Sequence, residues 1–238
     1  MTKRFFILLA SLAVCIGIFA RGNESDTIPY KFSTKWRLEF GYVQPYLRQH
    51  KEARSFVEYA GRIGFTVDFV LPIDYLTVQT GLYYSLGYDY TKQKFVYANE
   101  YLGHEVWMHD IMIPARLNLD FNVWRKLHLI FFAGPEFGIG LARTQYTQNH
   151  LMTDYGFDTQ ATLKQVMGED FITDGKHDLY SEGHIRRFNF MLGVGGGIQW
   201  SHWQLLGGYD FGINKLGKKR QFDGLRQWQW YVSLAYQF

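Results

Sequence analysis

The chain has 238 residues, a formal net charge of +3, 18% aromatic residues, 24 glycines and a single cysteine. A near-neutral balance excludes nucleic acid as the main partner, and one cysteine excludes a disulfide framework. The composition leans towards a strand-rich fold.

The chain starts MTKRFFILLASLAVCIGIFA, with Lys3 and Arg4 ahead of an apolar run from Phe5 to Ala20. That run is too short for a spanning helix and has the flanks of a secretory signal, so residues 1–20 are expected to be removed. Cleavage after Ala20 is expected, with a cut after Gly22 as the alternative. Leu12-Ala13-Val14 before Cys15 is similar to a lipoprotein processing site, but Val14 is bulky and the apolar run continues past the cysteine. Cys15 is therefore expected to leave with the signal. Residues 21–35 read as a periplasmic N-terminal segment and residues 36–238 as one β-barrel.

No later stretch approaches eighteen uninterrupted apolar residues, so no spanning helix is predicted. Strict alternation recurs instead, in Trp36–Tyr46, Val57–Val70, Tyr75–Tyr90, Trp107–Val123, Leu127–Arg143, Phe188–Trp200, Trp203–Leu216 and the C-terminal run. In that last run Trp228, Trp230, Val232, Leu234, Tyr236 and Phe238 share one face, and Gln227, Gln229, Tyr231, Ser233, Ala235 and Gln237 the other. In Phe188–Trp200 the second face is largely glycine. A soluble sandwich would turn charged residues outward; a small, amide-rich second face suits a crowded lumen.

Connections alternate between short (71–74, 124–126, 201–202) and long (47–55, 91–106, 144–187, 217–224). Eight strands with that alternation predict an all-β, antiparallel, up-and-down transmembrane barrel in the bacterial outer membrane, short turns and both mature termini periplasmic. Trp36, Trp124, Trp200 and Trp203 fall at the expected periplasmic rim, and Trp107, Trp228 and Trp230 near the outer one. These are the levels of aromatic girdles. Phe238 then ends the strand that closes the barrel and reads as an assembly signal for the barrel-assembly machinery.

Pro114 and Pro135 fall inside strands, where a closed barrel has no free edge for a missing N–H, so a bulge or a ladder break is expected at each. The same prolines lie in HDIMIPARLNLDF (His109 to Phe121) and LIFFAGPEFGIGL (Leu129 to Leu141), followed by FNFMLGVGGGIQW (Phe188 to Trp200). This succession of an "IP" strand, a "GP" strand and a glycine-rich strand resembles the small outer-membrane barrel family named after PorT. The resemblance covers roughly Trp36 to Phe238. It implies an integral outer-membrane protein and, for the secretion subgroup, an accessory role in type IX secretion.

Inward-facing charges are expected at Arg37, Glu39, Glu58, Arg62, Asp68, Arg116, Asp120, Glu136 and Asp210. Opposite signs are mixed, and a low-dielectric lumen strongly disfavours an unpaired charge, so direct pairs Arg116–Glu136 and Arg62–Glu39 are predicted. Two readings follow: a plugged interior of mutually satisfied charges, or a gated polar conduit.

The connection from Thr144 to Gly183 carries Asp154, Asp158, Glu169, Asp170, Asp174, Asp178 and Glu182. Around Asp170 to Gly175 it only loosely resembles a calcium loop, because Ile172 and Ser181 fall where oxygen ligands are needed. A short helix from Asp158 to Met167 is predicted. The basic final connection (Lys215, Lys218, Lys219, Arg220, Arg226) is expected to clasp this acidic one over the mouth. The histidines show no metal-ligand spacing with a third donor, and no metal, cofactor or catalytic residue is assigned. Ser85 and Ser233 point inward, away from any lipid substrate. The expected role is non-enzymatic, a structural or interaction component of an envelope assembly. Its expected partners are membrane lipid and lipopolysaccharide, the barrel-assembly machinery and other envelope or secretion proteins. A narrow solute channel and a lipid A-modifying enzyme are the alternatives.

Overall fold

The computed structural model describes residues 33–48, 55–73, 75–94, 101–150, 161, 164–165, 172–218 and 224–238. The expected signal peptide, Cys15 and most of the Asp158–Met167 helix lie outside that set. Ten strands form one sheet: β1 (Thr34–Arg48), β2 (Ser55–Val57), β3 (Tyr59–Val70), β4 (Leu76–Lys94), β5 (Tyr101–Trp124), β6 (Leu127–His150), β7 (Gly175–Asp178), β8 (Phe188–Trp200), β9 (Trp203–Gly212) and β10 (Arg226–Gln237). Neighbours run antiparallel in the order β10-β9-β8-β6-β5-β4-β3-β1, and β10 pairs β1 from Arg37↔Gln237 to Arg48↔Arg226. That last pairing closes the ring and removes both edges.

β2 and β3 are one stave interrupted at Glu58, since both pair β1 in a single register. The interruption faces Pro45, whose ring has no N–H to donate, although its carbonyl still accepts from Glu58 N–H at 2.9 Å. Eight staves therefore make the barrel, as the alternation predicts. β7 is an extra short strand on the half of β6 nearer the long connections. It lies in what reads from the sequence as a long loop, and β4, β5 and β6 likewise run well past the predicted ends. Their register continues to Lys94↔Tyr101 and Tyr101↔His150, so three tall strands with β7 rise beyond the rest of the ring. β9 stops earlier than predicted, at Gly212.

The two-residue hairpins β5–β6 and β8–β9 each place a non-glycine residue at positive φ, Arg125 at 44° and Ser201 at 57°, matching the twist of the flanking strands. The start of β1 and the end of β10 share this short-turn end, where Phe238 N–H donates to Trp36 O at 2.9 Å.

The two prolines are accommodated by ladder breaks. Opposite Pro114 the β4–β5 pairing skips Gly81 and Leu82, and the β5–β6 pairing skips Ala115 and Arg116 against Gly134 and Pro135. Gly134 is required there, because a Cβ at that position would sit 2.3 Å from the Ala115 carbonyl oxygen. The bulge proper lies elsewhere on β6: the register shifts between His109↔Ala142 and Asp110↔Gly140, leaving Leu141 unpaired. Even-numbered residues of β6 face inward up to Gly140 and odd-numbered ones from Arg143 onward.

Side chains sort as a membrane barrel requires. Phe40, Ile63, Phe65, Leu82, Leu117, Phe131, Leu192, Val194, Leu205, Val232 and Leu234 are exposed around the whole ring, while the polar residues of the alternate positions are buried. So continuous an apolar belt has no counterpart on a soluble monomer.

Candidate functional site

The lumen is filled by three tiers of polar contacts. Nearest the short turns, Arg37 donates to Asp68 at 2.6 Å and to Gln204 at 2.7 Å, and Asn118 donates to the same Asp68 oxygen at 3.1 Å. Asp120 points inward at this rim but remains part-exposed, held by His128 at 2.7 Å and Lys35 at 3.6 Å. It belongs to the entrance and not to the central network.

In the middle tier Arg62 pairs with Glu39 at 2.5 Å and donates to Ser233 Oγ, while the Tyr83 hydroxyl donates to the other Glu39 oxygen at 2.8 Å. The guanidinium of Arg62 stacks between aromatic rings, 3.8 Å from the Tyr231 centroid and 4.6 Å from that of Tyr83. Beside it Arg116 pairs directly with Glu136 and lies 3.4 Å from Asp210. Gln229 Nε2 donates to both carboxylates, at 3.1 Å to Glu136 and 2.8 Å to Asp210. One cation and one amide thus serve two buried acids. Gly193, Gly195 and Gly208 line this tier because a Cβ at each would collide with Asp210, Phe132 and Tyr231; the glycine-rich face makes room for large side chains from across the lumen.

The third tier closes the long-connection end. Arg143 pairs with Glu58, and Tyr180, from the turn after β7, reaches into the barrel with its hydroxyl 3.5 Å from Asp110. Burial, reinforced by Asp110, pushes the Tyr180 phenol up to about 12, so it stays a donor at ordinary pH. Leu179, Tyr180 and Ile185 are buried with Leu47, Leu216 and Leu225 in one apolar cluster over the mouth. Ile185 also bridges Gly217, and Lys218 N–H donates to His184 O at 3.0 Å. The two last connections therefore do meet over the mouth, through backbone and apolar contacts. Of the charges expected to clasp them, Asp154, Asp158, Glu169, Asp170, Lys219 and Arg220 lie outside the described residues. Two cavities at this level measure ≈ 10 Å³ and ≈ 50 Å³, room for about one water and for a few.

Three buried members of the lumen are absent from the inward set read from the sequence. Asp110 and His104 share the parity of Arg116 and could have been found from it. Arg143 could not, because the Leu141 bulge reverses the faces of β6. Among the described residues no group of histidines and acids could hold a metal ion, although His177 and His184 flank Glu182 at 3.4 Å and 3.2 Å. The girdle tryptophans Trp36, Trp107, Trp124, Trp200, Trp203 and Trp230 are exposed, and Trp228 is half-covered by Tyr46, Tyr209 and Phe211.

A closed antiparallel ring with an apolar exterior and a hydrogen-bonded charged interior is a transmembrane β-barrel. The chain belongs to the outer membrane protein beta-barrel domain family, whose sequence model matches residues 29–217, and it is a protein of the bacterial outer membrane. Among solved structures it is similar to Neisserial surface protein A (12% identity, TM-score 0.44, covering 85% of this chain and 97% of that one). It is also similar to Ail of Yersinia pestis, solved with the heparin analogue sucrose octasulfate (9%, 0.41, 87% and 99%), and to the N-terminal barrel of Pseudomonas aeruginosa OprF (12%, 0.33, 87% and 100%). These likenesses concern the fold alone. No curated protein matches the chain.

Proposed function

We propose that the protein is a closed, non-enzymatic barrel that serves an envelope assembly through the surfaces it presents at its long-connection end. The observation that carries this reading is the filled lumen: among the described residues, three tiers of buried ion pairs lie under an apolar lid, as the interior of an eight-stranded barrel filled by its own side chains requires. A conduit is the weaker alternative for that reason. Lipid modification finds no support in the inward serines, since Ser233 is engaged by Arg62. The tall β4–β7 wall is the natural contact surface for a partner.

The finer reading is an accessory of the PorT type, supported by the succession of the Pro114 strand, the Pro135 strand and the glycine-rich strand β8. In this reading residues 1–20 are removed on export, the barrel-assembly machinery recognises the strand ending in Phe238, and the short turns face the periplasm. Single-cysteine labelling tests the orientation and the exposed surface together. With a membrane-impermeant maleimide on intact cells, a cysteine at Lys176 is expected to react and one at Arg125 to be protected; the reverse pattern overturns the orientation. Photo-crosslinkers at Tyr90 and Tyr146 are expected to give a discrete protein adduct in intact envelopes. Adducts to lipid alone at both positions would overturn the assembly role.

A further inference from the structure

On the outside of the barrel-closing seam, Arg48 of β1 lies directly opposite Arg226 of β10. Both side chains are exposed on the outward face, one step beyond the cross-strand pair Tyr46↔Trp228. Like charges facing each other across a ladder destabilise it, and among the described residues neither arginine has an ion-pair partner. Below them the aromatic rings form a continuous wall. Trp228 contacts Tyr46 at 6.0 Å, Tyr209 at 6.5 Å and Phe211 at 6.1 Å between centroids. The Arg48 guanidinium sits 5.4 Å from the Trp228 ring centroid, which holds its head over this wall.

We propose that Arg48 and Arg226, with the Tyr46–Trp228–Tyr209–Phe211 wall beneath them, bind a phosphate group of a lipopolysaccharide molecule packed against the barrel. A phosphate between the two guanidinium forks accepts hydrogen bonds from both and converts their repulsion into a bridge. The wall lies at the level where the acyl chains attached to such a headgroup begin, and aromatic rings are the side chains best suited to that depth. The leaflet that supplies the lipid follows from the proposed orientation. The site chemistry does not, so binding in detergent tests the site without testing the orientation.

The experiment uses the refolded full barrel in detergent, with bisphosphorylated lipid A, enzymatically dephosphorylated lipid A, phosphatidylglycerol and inorganic phosphate as probes, bound ligand being read by native mass spectrometry. Wild type is expected to prefer bisphosphorylated lipid A over the other three. R48Q and R226Q are each expected to lose about five-fold in affinity, and the double variant about twenty-five-fold. R48K/R226K, which keeps the charge and loses the fork, is expected to fall between them and wild type. R125Q/K126Q at the other end of the barrel is expected to bind like wild type. A second readout separates a ligand site from a structural one. Without lipid, R226Q is expected to melt no lower than wild type, because a repulsion is removed; with lipid A it is expected to melt lower. Unchanged affinity in the double variant, equal binding of dephosphorylated lipid or of phosphatidylglycerol, or displacement of lipid A by millimolar inorganic phosphate would each overturn the proposal.

Discussion

Glu58 and Arg143 form a buried ion pair at the mouth of the barrel, although strict alternation from Glu136 would turn Arg143 towards lipid. The single extra residue Leu141 makes the difference. It follows that Arg143→Ala, which strands Glu58 in a buried site, costs about 3–5 kcal/mol. The double variant Glu58→Gln, Arg143→Met is expected to recover most of that, measured by urea unfolding of the refolded barrel. Deleting Leu141 leaves only Ala142 between the inward Gly140 and Arg143, which restores ordinary alternation with Arg143, Gln145 and Thr147 still inward, so the variant is expected to fold. A ΔLeu141 chain that gives no heat-modifiable, folded band on electrophoresis would contradict the bulge.

The Arg116 cluster is asymmetric, and its variants will show it. Glu136→Gln leaves Arg116 with Asp210 at 3.4 Å and is expected to cost about 1–3 kcal/mol. Arg116→Met leaves two buried carboxylates with only Gln229 between them and is expected to cost more, about 3–5 kcal/mol. Equal losses would mean that Asp210 does not share the arginine.

Gly134 faces backbone, which cannot move aside as a side-chain tip can. Gly134→Ala is therefore expected to destabilise by about 1–3 kcal/mol. Gly61→Ala, where an added Cβ meets nothing, serves as the control and is expected to change stability by less than about 1 kcal/mol. The comparison is made by unfolding midpoints at constant slope.

Phe238 is 68% exposed to the exterior and touches Tyr236 edge-on at 5.2 Å. Little burial rests on it in the folded barrel, so its deletion is expected to leave the melting of refolded protein nearly unchanged while lowering outer-membrane insertion in cells. Normal insertion of the truncated chain would remove its role as an assembly signal.

Alternation in the sequence was enough to read the eight staves, the inward set Arg37, Glu39, Glu58, Arg62, Asp68, Arg116, Glu136 and Asp210, and the pairing of Arg116 with Glu136 and of Arg62 with Glu39. Those features repeat with period two and survive any error at strand ends. What alternation hides is whatever interrupts the period. Pro45 breaks the second stave at Glu58, Leu141 reverses β6, and the lid residues Leu179, Tyr180 and Ile185 come from a connection with no periodicity to read. The tall ends of β4 to β6 on the long-connection side are not legible because their polar residues, such as Thr91, Thr147 and Gln148, resemble loop composition once the membrane no longer demands an apolar face.

In the proposed function the barrel's interior is closed by its own charges and lid. Single-channel recording of the refolded protein in a planar bilayer tests that most directly: no resolved conductance steps are expected from wild type, while Tyr180→Gly combined with Arg143→Ala is expected to open intermittent ones. Steady, ion-selective conductance from the wild-type barrel would contradict the account.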